Sequence, residues 1–442
     1  MSKSFSTLSK RGNNLATTPA RIDSEIFIEA SQNLYCPIEN PNGSFPLNIA
    51  ENHLMASKIK DRITLITKNN AIPDWVLNYT HLLGNPDVRM EIATFMEAYL
   101  CGCPISHDTI GLSAGASAVI EASSFVLANT GDVVVIPAPS YPMYTNDLGL
   151  KSDVTRYDLQ THYDIKEINS GSLISIASLE QTWDELKAQG KRFKILLITS
   201  PDNPTGYRYN ETELKELAHW CIEHEVHMIV NEIYALSLIE TSVVTSKNNE
   251  DVTFSSFAKL MNELKSDYLH LWYAFSKDFA MSGLRIGVVH SLNEAFIKGF
   301  ENVNVPHLVS NLTQWVVGEL LKDNTFLKPY IAENKLRLTH SYKLVIEHLE
   351  KINVPYYSSK GSFFVWADFS QYLEEKNDEG EKQLWLDIYK NTGVLLTPGI
   401  GFMHQKKGCF RIVFTAVPFE HLEVSMHRMT TYFSNRNQLK SD

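Results

Sequence analysis

The chain lacks the marks of several large protein classes. Its 442 residues hold only five cysteines, Cys36, Cys101, Cys103, Cys221 and Cys409. An odd, scattered set excludes a disulfide framework and fits a reducing compartment. Cys101-x-Cys103 has a distant His107 but no second cysteine pair, so it reads as two ordinary thiols at a helix end, and no metal is expected. Basic charge is short, with 40 Lys and Arg against 51 Asp and Glu and a net charge of −11. Binding to phosphate backbones needs a basic face, so nucleic acid is not an expected partner. No apolar run is long enough to span a bilayer, and MSKSFSTLSKRGNNLATT lacks the apolar segment of a signal peptide. No membrane partner is expected, and the expected location is the cytoplasm. There is no internal repeat.

What is present is a long alternation of helical and β-rich patterns. The length exceeds one ordinary core and implies two domains. Residues 1–20, rich in Ser, Thr, Lys and Asn, read as a mobile arm. Strands are expected in DVVVIPAP (132–139), KILLITSP (194–201), HMIVNEIY (227–234), YLHLWYAFS (268–276) and LRIGVVHS (284–291). NPDVRMEIATFMEAYL places Pro86 near a helix start, with Val88, Ile92, Phe95 and Tyr99 on one face. ETELKELAHWCIEHE repeats the pattern with Leu214, Leu217 and Cys221. This order implies an α/β fold with a mostly parallel sheet covered on both sides. Long helices over 305–350, then strands in GSFFVWADF and CFRIVFTAV, point to a smaller α+β domain. Residues 242–251 and 374–382, polar or charged, read as surface insertions.

The chemistry concentrates in AFSKDFAMSGLRIGVVH (274–290). Lys277 follows an apolar strand and is flanked by Tyr273, Phe275 and Phe279. A strand-end lysine is usually a snorkelling surface residue. Partial burial would lower its pKa and make it an amine nucleophile. In HMIVNEIYA (227–235) a second apolar strand ends in Asn231, Glu232 and Tyr234.

The lysine segment resembles that of the class I/II aminotransferases, pyridoxal-phosphate enzymes of fold type I. The resemblance runs from about residue 45 to 435 through motifs in the family's order. It implies pyridoxal 5'-phosphate as cofactor, a Schiff base on Lys277, and a phosphate held by Ser276 and Arg285. Ala274 stands where many members have Ser or Gly. SAGASAVIEA (113–122) implies further phosphate contacts from Ala116 and Ser117 at a helix start. PAPSYPMYTNDL (137–148) offers Tyr141 to stack on the pyridine ring; alone, Tyr141 would read as core packing. Asn203 of PDNPTG and Tyr234 would hydrogen-bond the cofactor's phenolic oxygen. Arg411 of GCFRIVFT would bind the substrate α-carboxylate. The implied domains are a large cofactor-binding one over 60–305 and a smaller one joining 21–59 to 306–442.

Within the family, NIAENHLM (48–55) is similar to 1-aminocyclopropane-1-carboxylate synthases and their relatives, which implies Glu51 near the substrate. In NYTHLLGNPDVR (78–89), Leu82 departs from the synthase pattern, while Tyr79 matches the aminotransferase tyrosine that reaches the neighbouring subunit's cofactor phosphate. A homodimer is therefore implied. The substrate would be an α-amino acid or an S-adenosylmethionine-like derivative. Synthase-like γ-elimination or substitution is the first reading, and transamination to a 2-oxo acid the alternative. A cofactor-binding pseudoenzyme weakened at Asn231 is the third. The family normally has Asp at position 231, whose charge raises the ring nitrogen's pKa by roughly 1–3 units. Asn231 could accept from a protonated nitrogen or donate to a neutral one, and sequence leaves both open. Glu232 is not an obvious substitute, because consecutive strand residues face opposite ways. A metal site on His219, His224 and His227 is a weaker reading still.

Overall fold

The computed structural model describes residues 7–18, 21–161, 173–240 and 254–441. Seven strands form the main sheet: β1 (Ile110–Ser113), β2 (Val133–Ala138), β3 (Thr155–Gln160), β4 (Phe193–Thr199), β5 (His227–Asn231), β6 (Leu269–Ala274) and β7 (Gly287–Ser291). Their order is β1-β7-β6-β5-β4-β2-β3, and only β7 runs antiparallel to its neighbours. The expected α/β class and mostly parallel sheet are present. The expected strands are all there; β1 and β3, short or edge-exposed, were not among them.

Both faces are covered, which explains the unbroken apolar runs. Side chains alternate across the pleat. Val133, Val135, Met228 and Val230 join one core with Leu214, Leu217 and Phe257. Val134, Ile136 and Ile229 join the other with Val119, Ile120 and Leu148. Asn231 shares the parity of Ile229, and so its face. The parallel strands β2, β4, β5 and the following β6 all end at one edge, where α/β sheets place their sites.

A second sheet holds β8 (Phe364–Asp368), β9 (Thr397–Pro398) and β10 (Cys409–Val413), antiparallel in the order β9-β10-β8. Helices Asn324–Lys351, Asp378–Thr392 and Phe419–Ser441 accompany it. Pro86 opens helix Pro86–Phe95, whose cap Asn85 accepts from the Asp87 and Val88 N–H groups at 2.9 and 3.3 Å. Cys101 ends the π-helical turn that follows, and Gly102 reverses the chain in the left-handed region.

Within the segment read as an arm, Lys10–Thr17 is a helix capped by the Ser9 side chain, with no buried residue. Its signal is the local cap and not apolar periodicity. Residues 374–382, read as an insertion, include the start of helix Asp378–Thr392, and Glu381 there is fully buried. The other expected insertion, 242–251, lies outside the described residues.

Glu381 accepts the backbone N–H groups of Ile400 and Gly408, each at 2.7 Å. It thereby anchors both ends of the loop that leads into β10. Glu381→Ala should strip two buried donors of their acceptor and lower the unfolding free energy by about 2–4 kcal/mol. Glu381→Gln, which keeps one acceptor oxygen, should fall between. Urea unfolding midpoints test this, and an unchanged midpoint for Glu381→Ala would sink it.

Candidate active site

Lys277 sits on the four-residue helix Phe275–Asp278 that follows β6. Its flanking Tyr273, Phe275 and Phe279 are buried, as the aromatic sequence suggested. Asp278 pins this turn by accepting from the Ser237 hydroxyl at 2.6 Å and the Tyr273 hydroxyl at 3.1 Å. The Lys277 ammonium donates to the Ala50 carbonyl. Burial lowers its pKa to about 8; the Glu51 carboxylate opposes this, and Arg411, Arg285 and Arg21 reinforce it.

Lys277 lines a cavity together with Ala116, Ser117, Ser276 and Arg285. These are the residues expected to hold an anion. Helix Ala116–Leu127 points its N-terminus into the cavity, and Gly115 precedes it with φ +91°. A Cβ on Gly115 would stand 2.3 Å from an Arg285 guanidinium nitrogen, so only glycine lets the arginine lie across the helix start. Arg285 itself has φ +53°, a costly conformation for a non-glycine residue, and donates to the Ser282 carbonyl at 3.0 Å. The Ser276 hydroxyl is buried with no hydrogen-bond partner. Strain, a glycine cradle and an orphaned donor converge on one spot. That donor set fits the phosphate of pyridoxal phosphate.

Tyr141, Asn203, Asn231 and Tyr234 line the same cavity. The Asn231 amide has one orientation. The Ile233 N–H can only donate, and it does so to Asn231 Oδ1 at 3.2 Å. The amide nitrogen therefore donates to Tyr144 Oη at 2.9 Å, and that hydroxyl pairs with Thr199 Oγ1 at 2.7 Å. Burial raises the Tyr144 pKa to about 12, so the chain of groups is neutral. Glu232 turns away, accepting from Ser256 Oγ at 2.7 Å and the Phe257 N–H at 2.6 Å.

A second cavity adjoins the first through Ala50, Tyr141, Lys277 and Ser282 and holds Glu51 and Arg411. Arg411, on β10, is buried and donates to Asn203 Oδ1 at 2.8 Å and the Asn48 carbonyl at 2.7 Å. Its Nε has no partner, and no carboxylate pairs with it among the described residues. Phe364 and Phe402 pack against the guanidinium, with centroids at 4.5 and 4.9 Å. Because Arg411 takes the Asn203 oxygen, the Asn203 nitrogen is left as a donor. Glu51 is half-exposed and faces His53 at 3.3 Å; that contact, then Lys277, lowers its pKa.

Sequence reasoning missed Tyr144, Asp147 and Thr199, which also line the first cavity. Tyr144 and Asp147 stand three and six residues after Tyr141, and helical spacing on Tyr144–Ser152 could have exposed them. Tyr79 is not brought in: it is 100% exposed on the rim of another pocket of this chain. The histidine alternative does not assemble. His227 pairs with His270 at 3.0 Å, His224 stacks on Trp220, and no metal-holding group of side chains occurs among the described residues.

Known proteins resemble this chain over most of its length. A 1-aminocyclopropane-1-carboxylate synthase of Nicotiana tabacum is 27% identical over 90% of this chain and 80% of its own. A Mus musculus protein named "Probable inactive 1-aminocyclopropane-1-carboxylate synthase-like protein 2" is 28% identical over 96% of this chain and 71% of its own. Among solved structures, an archaeal alanine:glyoxylate aminotransferase superposes with a TM-score of 0.79 at 19% identity, covering 97% of this chain and 98% of that one. The family model for aminotransferase class I and II matches residues 46–429. With the lysine, the anion cradle and the fold in place, the chain belongs to the class I and II aminotransferase family of pyridoxal-phosphate-dependent enzymes.

Proposed function

We propose that this protein is a pyridoxal-phosphate-dependent enzyme that processes an α-amino acid bearing a leaving group, such as S-adenosylmethionine, by γ-elimination or substitution. One observation carries the amino-acid reading: Lys277 stands where an anion cradle meets a cavity walled by a buried arginine without a carboxylate partner. A buried guanidinium lacking its counter-ion is costly, and a substrate α-carboxylate supplies one. Similarity to 1-aminocyclopropane-1-carboxylate synthases over most of the chain supports the γ-chemistry.

In this reading Ser117, Ser276, Arg285 and the helix start hold the cofactor phosphate, Tyr141 lies on the ring, and Asn203 and Tyr234 donate to its phenolic oxygen. When bound, the cofactor supplies an electron sink for charge developing at the substrate's α-carbon. Arg411 orients the carboxylate, and the neutral Lys277 amine removes the α-proton as general base. Glu51 lies within Coulombic reach of that amine and favours its protonated form. The working unit is a homodimer in which Tyr79 reaches the partner's site. A second reading, cofactor retention without turnover, is favoured by the neutral Asn231 network.

Addition of S-adenosylmethionine to the purified protein should shift the cofactor's absorbance and release methylthioadenosine, followed by mass spectrometry. Stoichiometric 2-oxo acid and aminated cofactor would select transamination. Unchanged spectra and no product across an amino-acid panel would select the second reading.

The Lys277 amine should titrate near pH 8. An ordinary lysine does so near about 10.4. Acylation rates at Lys277 in the cofactor-stripped chain, mapped by mass spectrometry, should rise with that midpoint. Glu51→Gln should lower it, since the carboxylate favours the ammonium; a midpoint above 10 would contradict the burial argument.

Asn231→Asp should raise the pKa of the bound ring nitrogen by about 1–3 units. Tyr144 can turn its hydroxyl from Thr199 to the new carboxylate, so the fold should tolerate the change. The nitrogen-15 shift of labelled cofactor reads the protonation state directly; no change between variant and wild type would refute the electronic account.

A further inference from the structure

The anion cradle contains an acid. Asp147, on helix Tyr144–Ser152, lines the same cavity as Ser276 and Arg285. The Ser117 hydroxyl, one of the cradle's donors, gives its hydrogen to Asp147 Oδ2 at 3.2 Å. Among the described residues no lysine or arginine forms an ion pair with Asp147. A carboxylate facing a phosphate adds repulsion where the site needs attraction. It also holds the hydroxyl the phosphate needs. The orphaned Ser276 hydroxyl, 4% exposed, shows independently that the cavity awaits an acceptor.

We propose that Asp147 is a positioning residue of the cradle, which takes up one proton from solvent when a phosphate monoester binds and so releases the Ser117 hydroxyl to the phosphate oxygens. The proposal rests on the reading of this cavity as the cofactor's phosphate site. The protonated acid is then a neutral neighbour. Burial raises the Asp147 pKa to about 6, with Ser117 and Arg285 opposing and Glu121 adding to the rise. The groups packed around it account for its charge environment. Glu121, on the facing helix, is held by Lys151 and His307 at 2.7 Å each. Arg156, on the adjacent β3, is committed to Asp158 at 2.7 Å. Tyr141 and Tyr144 face it as neutral phenols, both with pKa raised by burial. Among the described residues, Arg285 is the cation whose charge acts on Asp147, and it lines the same cradle; Lys277 lines the cavity as well. Bound phosphate adds negative charge and draws the proton on.

The test measures affinity of the cofactor-stripped full chain for pyridoxal phosphate against pH. The titrations of phosphate and of Lys277 are common to wild type and Asp147→Asn and cancel in their ratio. The ratio of dissociation constants, wild type over Asp147→Asn, should be near 1 at pH about 5.5 and rise about tenfold per unit above about 6. A pH-independent ratio, or a variant that binds more weakly throughout, overturns the proposal. Sulfate, a tetrahedral dianion that does not titrate in this range, gives a measurement on wild type alone. Its affinity should fall between pH about 6 and 7.5, with calorimetry in two buffers showing uptake of about one proton. A flat sulfate affinity overturns the proposal even if the variant fails to fold. If neither pyridoxal phosphate nor sulfate binds at pH about 5.5, the phosphate-site reading itself falls.

Discussion

The site depends on cations held by neutral oxygens. Lys277 donates to the Ala50 carbonyl, Arg285 to the Ser282 carbonyl, and Arg411 to an amide and a carbonyl. A salt bridge would satisfy each charge and consume it. Carbonyl and amide oxygens orient the groups while leaving their positive charge uncancelled. The cost of burying such charge is real, and the fold meets it with local geometry: Gly115 opens space for Arg285, and Phe364 and Phe402 give Arg411 π-faces. Two nearby acids have partners of their own. Glu51 faces His53, and Asp23 is taken by Arg21 and Asn48.

Asn231 fits the same logic. With an amide there, the whole row Asn231–Tyr144–Thr199 is neutral and every bond in it has a donor and an acceptor. The amide orientation, open from sequence, follows from a single backbone N–H. Glu232, one residue on, was expected to face away by strand parity, and it does so in a strong form: it caps helix Phe257–Leu264. Among the described residues that line the cavity, the one acid is Asp147, on the phosphate side.

Much of this was legible because strand ends and short motifs are local. The apolar runs ending at Thr199, Asn231 and Ala274 are continuous in sequence, and each delivers its polar residue within a few positions. For Tyr144 and Asp147 helical spacing offers a place near Tyr141 but no role, because their partners are Asn231 and Ser117, far off in sequence. Glu381 was misread for the same reason: a charged run signals exposure unless the donors that bury it, Ile400 and Gly408, are known. Tyr79, fully exposed in one chain, carries no intrachain signal at all.

One short segment links the two halves of the site. The Asn48 carbonyl accepts from Arg411, the Ala50 carbonyl accepts from Lys277, and the Glu51 carbonyl accepts from the Thr415 hydroxyl just past β10. The Val413 and His53 N–H groups bond the Leu47 and Thr415 carbonyls and lock the segment beside that strand. Residues 47–53 are thus held by the sheet that carries the arginine while touching the lysine that follows β6 of the other sheet. A ligand that draws the Lys277 amine away must leave the Ala50 carbonyl short of a donor, unless it offers one. Two backbone carbonyls of one segment, two residues apart, thus tie the position of the lysine to that of the arginine, and moving either cation breaks a hydrogen bond of that segment.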